Sequence, residues 1–276
     1  MPALRNIVTS RSHEPGPSFL RSLMIQARVV RALLMREIIT RFGRHNIGFA
    51  WLFAEPMLFT IGIMLLWTLL KESAGAHHIS IIAFALTGYS TILAWRNTIG
   101  RCTMAIEPNQ TLLFHRNVRV IDLFIARIIL ELSGATLSMI ILVFGLSSLS
   151  IIDPPHNISD MIIGWGMIAW YAAGMALLIG GLTEFSEVVD RLWHPIAYFQ
   201  LPISGAFAMN DWLPEKFRNI VLLFPLPNCV DLFRYGYFGD AVKPHYDIGY
   251  VAVLNLLITW GGLAVVAAAA KRVGNK

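Results

Sequence analysis

The chain has 276 residues, of which 56% are apolar and only 14% are charged, and its mean hydropathy is +0.60. Soluble domains carry about 25% charged residues, so the composition excludes an ordinary soluble enzyme and indicates a polytopic membrane protein. The net charge of +5 comes from arginines and lysines beside the apolar runs, which favours membrane orientation over nucleic-acid binding.

The first 46 residues are predicted to lie outside the membrane core. Residues 1–18 have no apolar centre, so we expect a cytoplasmic tail and no cleavable signal peptide. Residues 19–46 predict an amphipathic helix lying in the membrane interface, with its arginines toward the lipid headgroups. Its apolar stripe at helical spacing is formed by Leu20, Leu23, Ala27, Val30 and Leu34.

Six transmembrane helices are predicted in residues 47–270, which makes the fold an all-α membrane protein. The spans are residues 47–70, 79–99, 120–148, 161–182, 192–209 and 248–270. Only about 14 residues follow Pro56 in the first apolar run, which is too short to cross a bilayer, so this helix must begin before Glu55. Most arginines and lysines share one side if both termini are cytoplasmic, including the tail 271–276.

The segment before the last span is predicted to differ from the others. Its apolar stretch is too short to cross and contains Pro225 and Pro227, so residues 212–240 predict two short re-entrant helices on the periplasmic side. Irregular backbone at that depth is tolerated only against protein or a water-filled cavity, so we expect a cavity nearby.

Several chemistries find no support in the residue pattern. No GxxxxGK[ST] loop is present, so the chain is not expected to bind ATP by that device. The eight histidines lack metal-site spacing. Cys102 and Cys229 fall on opposite sides of the predicted topology, so no disulfide is expected.

Three blocks of sequence carry a resemblance to a known family. They are LMREIITRFGRHNIGFAWLFAEP at 34–56, AIEPNQTLLFHRNVRVIDLFIARIILE at 105–131 and, more weakly, FPLPNCVDLFRYGYFG at 224–239. The chain resembles the permease subunits of ABC-2 type polysaccharide exporters, most closely the capsular polysaccharide branch. In the third block Pro227 and Asn228 replace the usual pattern, and Asp231 stands where glutamate is common.

The resemblance implies a function and a set of partners. Two copies of the chain would form a homodimeric channel in the bacterial inner membrane, and two copies of a separate ABC ATPase would dock on the cytoplasmic side. That ATPase would bind ATP and magnesium, so this chain would need no cofactor. The cargo would be a lipid-linked polysaccharide, with a periplasmic co-polymerase and an outer-membrane export protein as further partners.

Two inner segments are the predicted contact with the ATPase. A rigid elbow between the interface helix and the first span would transmit motion, and the inner loop would insert a coupling helix. The residues are Arg36, Glu37, Arg41 and Phe42 in the elbow, and Glu107, Asn109, Gln110 and Arg116 in the loop. Plain electrostatic anchoring and a solvated loop remain open alternatives. Spacing of i,i+4 predicts that Glu37 pairs with Arg41 and Arg127 with Glu131.

The predicted transport path has three parts. The channel entrance is formed by Trp51, Glu55 and Pro56, where the proline bends the helix and frees a carbonyl. Rings that stack on sugar C–H faces are Phe59, Trp67, Tyr89, Trp95, Tyr198 and Phe199, although interface belts explain many such residues. The periplasmic gate is formed by Pro225, Pro227, Asn228, Asp231 and Arg234.

Three other functions are compatible with parts of the sequence. An ABC-2 permease for O-antigen or teichoic acid would share most features. A membrane-embedded enzyme of glycan or lipid assembly would need convergent carboxylates or histidines, and a passive channel would not need the arginine-rich elbow.

Overall fold

The computed structural model describes residues 19–43, 46–70, 79–113 and 117–274, and this part of the chain contains helices and no β-strand. Ten α-helices follow one another along it. They are α1 (Phe19–Phe42), α2 (Asn46–Leu70), α3 (Ile81–Cys102), α4 (Gln110–Leu113), α5 (Val120–Ser148), α6 (Ile158–Thr183), α7 (Glu187–Ile203), α8 (Glu215–Val221), α9 (Pro225–Phe238) and α10 (Ile248–Gly274).

Four of these helices are long and apolar enough to cross a membrane. They contain the segments Ala50–Leu69, Val120–Ser148, Ile158–Thr183 and Ile248–Gly274. The other two predicted spans are also helical, but α3 carries Arg96 and Arg101, and α7 begins with a charged turn. The described part of the chain is therefore all-helical, with four helices suited by length and composition to cross a membrane.

Helix α7 is placed differently from the predicted span 192–209. It begins at Glu187, where the Ser186 hydroxyl accepts a hydrogen bond from the Val188 amide at 3.3 Å. It ends at Ile203, because Gly205 has a φ of +82° that an α-helix does not accommodate. The helix continues through both of its internal prolines.

Two short helices, α8 and α9, occupy the predicted re-entrant segment. The sequence reading placed the break between them at Pro225 and Pro227, but the break precedes these residues. Pro225 is the first residue of α9, a position where the missing N–H has no helical partner to lose. The prolines therefore begin the second short helix.

The centre of the fold is α6, which packs against α3, α9 and α10. Where α6 crosses α9, glycines allow the two backbones to approach closely. A Cβ on Gly164 would lie 2.5 Å from the Phe233 backbone, and a Cβ on Gly236 of α9 would meet the Met161 backbone. Small residues at such crossings let packing hold helices together in a bilayer.

We predict that Gly164→Ala lowers the thermal stability of the purified protein, because the added methyl group cannot fit without separating α6 from α9. Thermal unfolding in detergent measures the effect. Gly166→Ala is the matched control on the same helix, since nothing lies within 4 Å of its Cβ position. Equal unfolding temperatures for the two variants would contradict this account of the crossing.

Candidate functional site

Helix α1 docks along the first half of α5. Leu33 is buried against Leu123 and Ala126, and the Gln26 side-chain amide donates to the Asp122 carboxylate. The start of the predicted apolar stripe lies off this contact, because Leu20 is 67% exposed and Leu23 is 56% exposed. One face of α1 thus packs against α5, whereas the N-terminal part of the predicted apolar stripe is exposed.

Four alternating charges connect α1 and α5 near the C-terminal end of α1. The Arg41 guanidinium pairs with Glu37 at 2.9 Å and also with Glu131 of α5. Glu37 in turn forms an ion pair with Arg127 of α5 at 3.2 Å. These four side chains are at most 16% exposed, so their mutual pairing is poorly screened by water.

The predicted pair within α5 is wrong. Arg127 and Glu131 share a face of the helix, as their spacing requires, but each reaches across to α1. Arg127 also donates to the Arg101 carbonyl of α3 at 2.7 Å, and Glu131 lies 3.7 Å from the Arg101 side chain. The predicted Glu37–Arg41 pair is confirmed and forms part of the same network.

The elbow also contacts the inner loop. Arg36 donates to the Asn109 side-chain oxygen at 2.6 Å, and the Asn109 amide donates to the Ala105 carbonyl at 2.9 Å. Asn109 is buried, whereas Glu107 and Gln110 are exposed. Two of the predicted coupling residues therefore meet, and their neighbours in the loop face outward.

The end of α1 has the turn that the sequence predicts after Phe42. Gly43 adopts a φ of +80°, and its amide donates to the Ile39 carbonyl at 3.0 Å, which is a typical glycine C-cap. The Phe42 side chain and Arg116 lie outside the described residues. Their predicted roles in the elbow and the loop remain predictions.

An inner cleft of about 380 Å³ opens between α2, α3 and α7. It brings together four residues that the sequence reading placed in two separate sets, namely Glu55, Pro56, Phe59 and Tyr198. Trp51, the third predicted entrance residue, is 52% exposed one turn earlier on α2 and is not part of the lining.

Three charged or titratable lining residues, Arg96, Arg101 and His194, were missed by the sequence reading. The Arg96 guanidinium donates to the Tyr198 hydroxyl at 2.8 Å and lies 4.6 Å from the centre of that ring. An arginine at the end of an apolar run was the available signal. The cleft therefore offers cations, a carboxylate and aromatic faces to a polar ligand.

A row of rings runs from this cleft along the contact between α2 and α3. Phe59 lies 6.3 Å from Tyr89, which is 5.6 Å from Phe207. Trp67 packs against Tyr89 in the same cluster. It also lies 5.6 Å from Phe84, which stacks on Trp212 at 5.1 Å. Three of the six predicted pore aromatics are thus contiguous.

The other predicted aromatics are separated from this row. Tyr198 lines the cleft, and Phe199 is 77% exposed on α7. Trp95 is completely buried in the main core because its face of α3 packs inside the helix bundle. Tyr89 and Phe84 are also buried, but they pack against members of the row that are at least partly exposed. Trp95 has no place in this row, so we do not carry it into the proposed path.

The predicted gate residues all lie on α9, and three of them make polar contacts with different neighbouring elements. The Asn228 amide donates to the Leu222 and Phe224 carbonyls at 2.8 and 2.9 Å, so it fixes the turn before α9. Buried Asp231 accepts from the His245 amide at 2.7 Å, and burial raises the pKa of its carboxyl to about 6. Arg234 points the opposite way, toward α3 and the end of α7.

We predict that Glu37→Gln weakens the docking of α1 by about 1–3 kcal/mol, because two arginines lose their shared carboxylate in a mostly buried site. Thermal unfolding of the purified protein measures the loss. Glu187→Gln removes an equally spaced but exposed pair with Arg191, which should contribute little. A Glu37→Gln effect no larger than this control would show that the network does not hold α1.

Comparison with known proteins places the chain in a family. It is 42% identical over 259 residues to the capsule polysaccharide export inner-membrane protein CtrC of Neisseria meningitidis, covering 93% of this chain and 96% of that protein. BexB of Haemophilus influenzae, which has the same description, is 41% identical over 249 residues, covering 90% and 94% of the two chains.

A more distant relative extends the comparison. The polysialic acid transport protein KpsM of Escherichia coli is 26% identical over 245 residues, covering 87% of this chain and 93% of that protein. No family model matches the chain. The identity to CtrC and BexB, over nearly their full length, shows that the chain belongs to the family of capsule polysaccharide export inner-membrane proteins.

Proposed function

We propose that the chain is the membrane-channel subunit of an ATP-driven ABC-2 exporter that moves a lipid-linked capsular polysaccharide from the cytoplasm to the periplasm. The observation that carries this proposal is the similarity to capsule polysaccharide export proteins over more than nine tenths of the chain. Two copies form the channel, and each docks one ATPase subunit, which binds ATP and magnesium. A periplasmic co-polymerase and an outer-membrane export protein complete the route.

The proposed topology has six spans with both termini in the cytoplasm. Helices α3 and α7 supply the two spans that are more polar than the others, and α8 and α9 re-enter the periplasmic leaflet. Support comes from the length of α3, whose 22 residues extend about 33 Å. The inner cleft and the charge network then lie toward the arginine-rich cytoplasmic side.

The elbow is suited to transmit movement from the ATPase to the membrane helices. Its charges connect α1 to α5 and reach the end of α3, and Arg36 connects α1 to the inner loop. Glu107 and Gln110 are exposed beside this contact and are available to the ATPase. A push on the loop would therefore act on three helices together.

The inner cleft is the proposed entrance for the cargo. Arg96, Arg101 and the Tyr198 hydroxyl offer hydrogen-bond donors to the acidic and hydroxyl groups of a glycolipid, and Phe59 offers an apolar face. The row of rings continues from this cleft toward Trp212, on the side of the chain that carries α8 and α9. Stacking on rings is sequence-tolerant and weak enough to permit sliding, which suits a long polymer.

The function is tested in a host that lacks its own capsule export protein. Expression of this chain should restore surface polysaccharide, and a mild-detergent pull-down should recover an ABC ATPase in equal amount. A hydrolysis-deficient variant of that ATPase should abolish the rescue. Recovery of the chain without an ATPase, together with no surface polysaccharide, would overturn the proposal.

We predict that Trp67→Ala slows export severalfold, because it interrupts the row between Tyr89 and Phe84. The rate of polysaccharide appearance at the surface measures the effect, and unchanged ATPase association shows that the transporter assembles. Trp260→Ala is the matched control, since that ring is 72% exposed on α10 and lies outside the row. Equal export rates for both variants would remove the support for a stacking path.

A further inference from the structure

We propose that Arg234 is a positioning residue for the inner cleft: it fixes the end of α7, and through α7 the cleft side chains His194 and Tyr198. The inference rests on the proposed function of the cleft as the entrance. Arg234 lies on α9 in the predicted gate, yet it would act at the other end of the neighbouring helix α7.

The Arg234 side chain is buried at a junction of three elements and is only 1% exposed. From α9 it donates to the Thr87 hydroxyl at 3.3 Å and to the Phe84 carbonyl at 3.2 Å, both on α3. It also donates to the Ala206 carbonyl at 2.8 Å and to the Gly205 carbonyl. Its guanidinium carbon lies 4.3 Å from the centre of the Phe84 ring.

The carbonyls of Gly205 and Ala206 come directly after the last turn of α7. A carbonyl oxygen carries partial negative charge and can accept a hydrogen bond from a buried cation. No carboxylate forms a salt bridge with Arg234 among the side chains that the structure describes, and nearby Asp231 is bonded to the His245 amide. The carbonyls after α7 are therefore, with that of Phe84, the main-chain acceptors of this buried charge, and the Asp231 carboxylate stabilises it through space.

The junction tolerates little displacement. A Cβ on Gly88 of α3 would lie 2.6 Å from the Ala206 carbonyl oxygen and 2.7 Å from an Arg234 nitrogen. A buried guanidinium that lost these acceptors would keep its charge without hydrogen-bond partners, which is strongly unfavourable. The position of Ala206, and with it the end of α7, is consequently fixed relative to both α3 and α9.

Helix α7 connects this junction to the cleft. It has 17 residues and is about 25 Å long, with Trp193, His194 and Tyr198 on the cleft lining. Between the two, the Gln200 amide donates to the Tyr171 hydroxyl of α6 at 2.7 Å. Release of the C-terminal end would let α7 pivot about this contact and would move the cleft wall relative to α2. Arg234 thus sets the width of the entrance from the other end of α7.

The test measures cleft geometry without requiring transport. A reporter cysteine is introduced by His194→Cys in the full chain with its ATPase, in inverted membrane vesicles. Its labelling rate by a membrane-impermeant maleimide reports access to the cleft. The native Cys102 and Cys229 are 0% and 1% exposed, so they add little background.

We expect Arg234→Lys to change the labelling rate of this reporter severalfold. A lysine ammonium cannot donate to all four acceptors that the guanidinium reaches. Thr87→Val, which removes one acceptor, should give a smaller change in the same direction. Arg218→Lys on α8 is the matched control and should leave the rate unchanged. A second reporter, Phe59→Cys on α2, should label at the same rate with either residue at position 234.

Two results would overturn the inference. One is an unchanged rate at the His194→Cys reporter in an Arg234→Lys protein that retains its ATPase. The other is an equal change at both reporters, which would indicate general loosening rather than movement of α7. Failure of the proposed function would show separately as wild-type vesicles that lack ATPase association or export, and the reporter comparison would still be interpretable.

Discussion

The fold depends on matching every charge that it removes from water. A buried ionised group is tolerated only when it is paired or fully hydrogen-bonded, and an apolar bundle offers few partners. Arg41 finds two carboxylates on different helices, whereas Arg234 finds main-chain carbonyls and one hydroxyl. Each arginine can be buried only where several helices present acceptors together, so each fixes the relative position of those helices.

These two matched charges lie at opposite ends of the region that contains the cleft. The first holds α1 and α5 together near the end of α3, and the second holds α3, α9 and the end of α7. The cleft opens between α2, α3 and α7. Its α3 wall is therefore fixed at both ends. Its α7 wall is held by Arg234 at one end and by the Arg96–Tyr198 hydrogen bond beside the cleft. The two matched charges thus fix the walls formed by α3 and α7 relative to each other.

The helices could be predicted well because apolar runs and charge position are local properties. The site could be predicted only in part. Spacing showed that Arg127 and Glu131 share a face of α5 but could not show that α1 covers it. Likewise, Trp95 was expected at a surface because the packing of α6 against α3 is not encoded in the α3 pattern. Arg96 and His194 were missed since only the packing of α3 against α7 brings them together.

A path for a long polymer requires rings and hydroxyls along its length without a charge that would hold the cargo in place. Arg234 is the cation that could interfere, because its guanidinium lies against Phe84, a member of the aromatic row. Its donors are directed to the carbonyls of Phe84, Gly205 and Ala206 and to the Thr87 hydroxyl. The same bonds that hold α7 therefore occupy the donors with which Arg234 would otherwise bind the cargo. The half-buried Arg96 and the exposed Arg101 line the cleft. There a first attraction to an acidic glycolipid is useful, and release follows by movement along the rings.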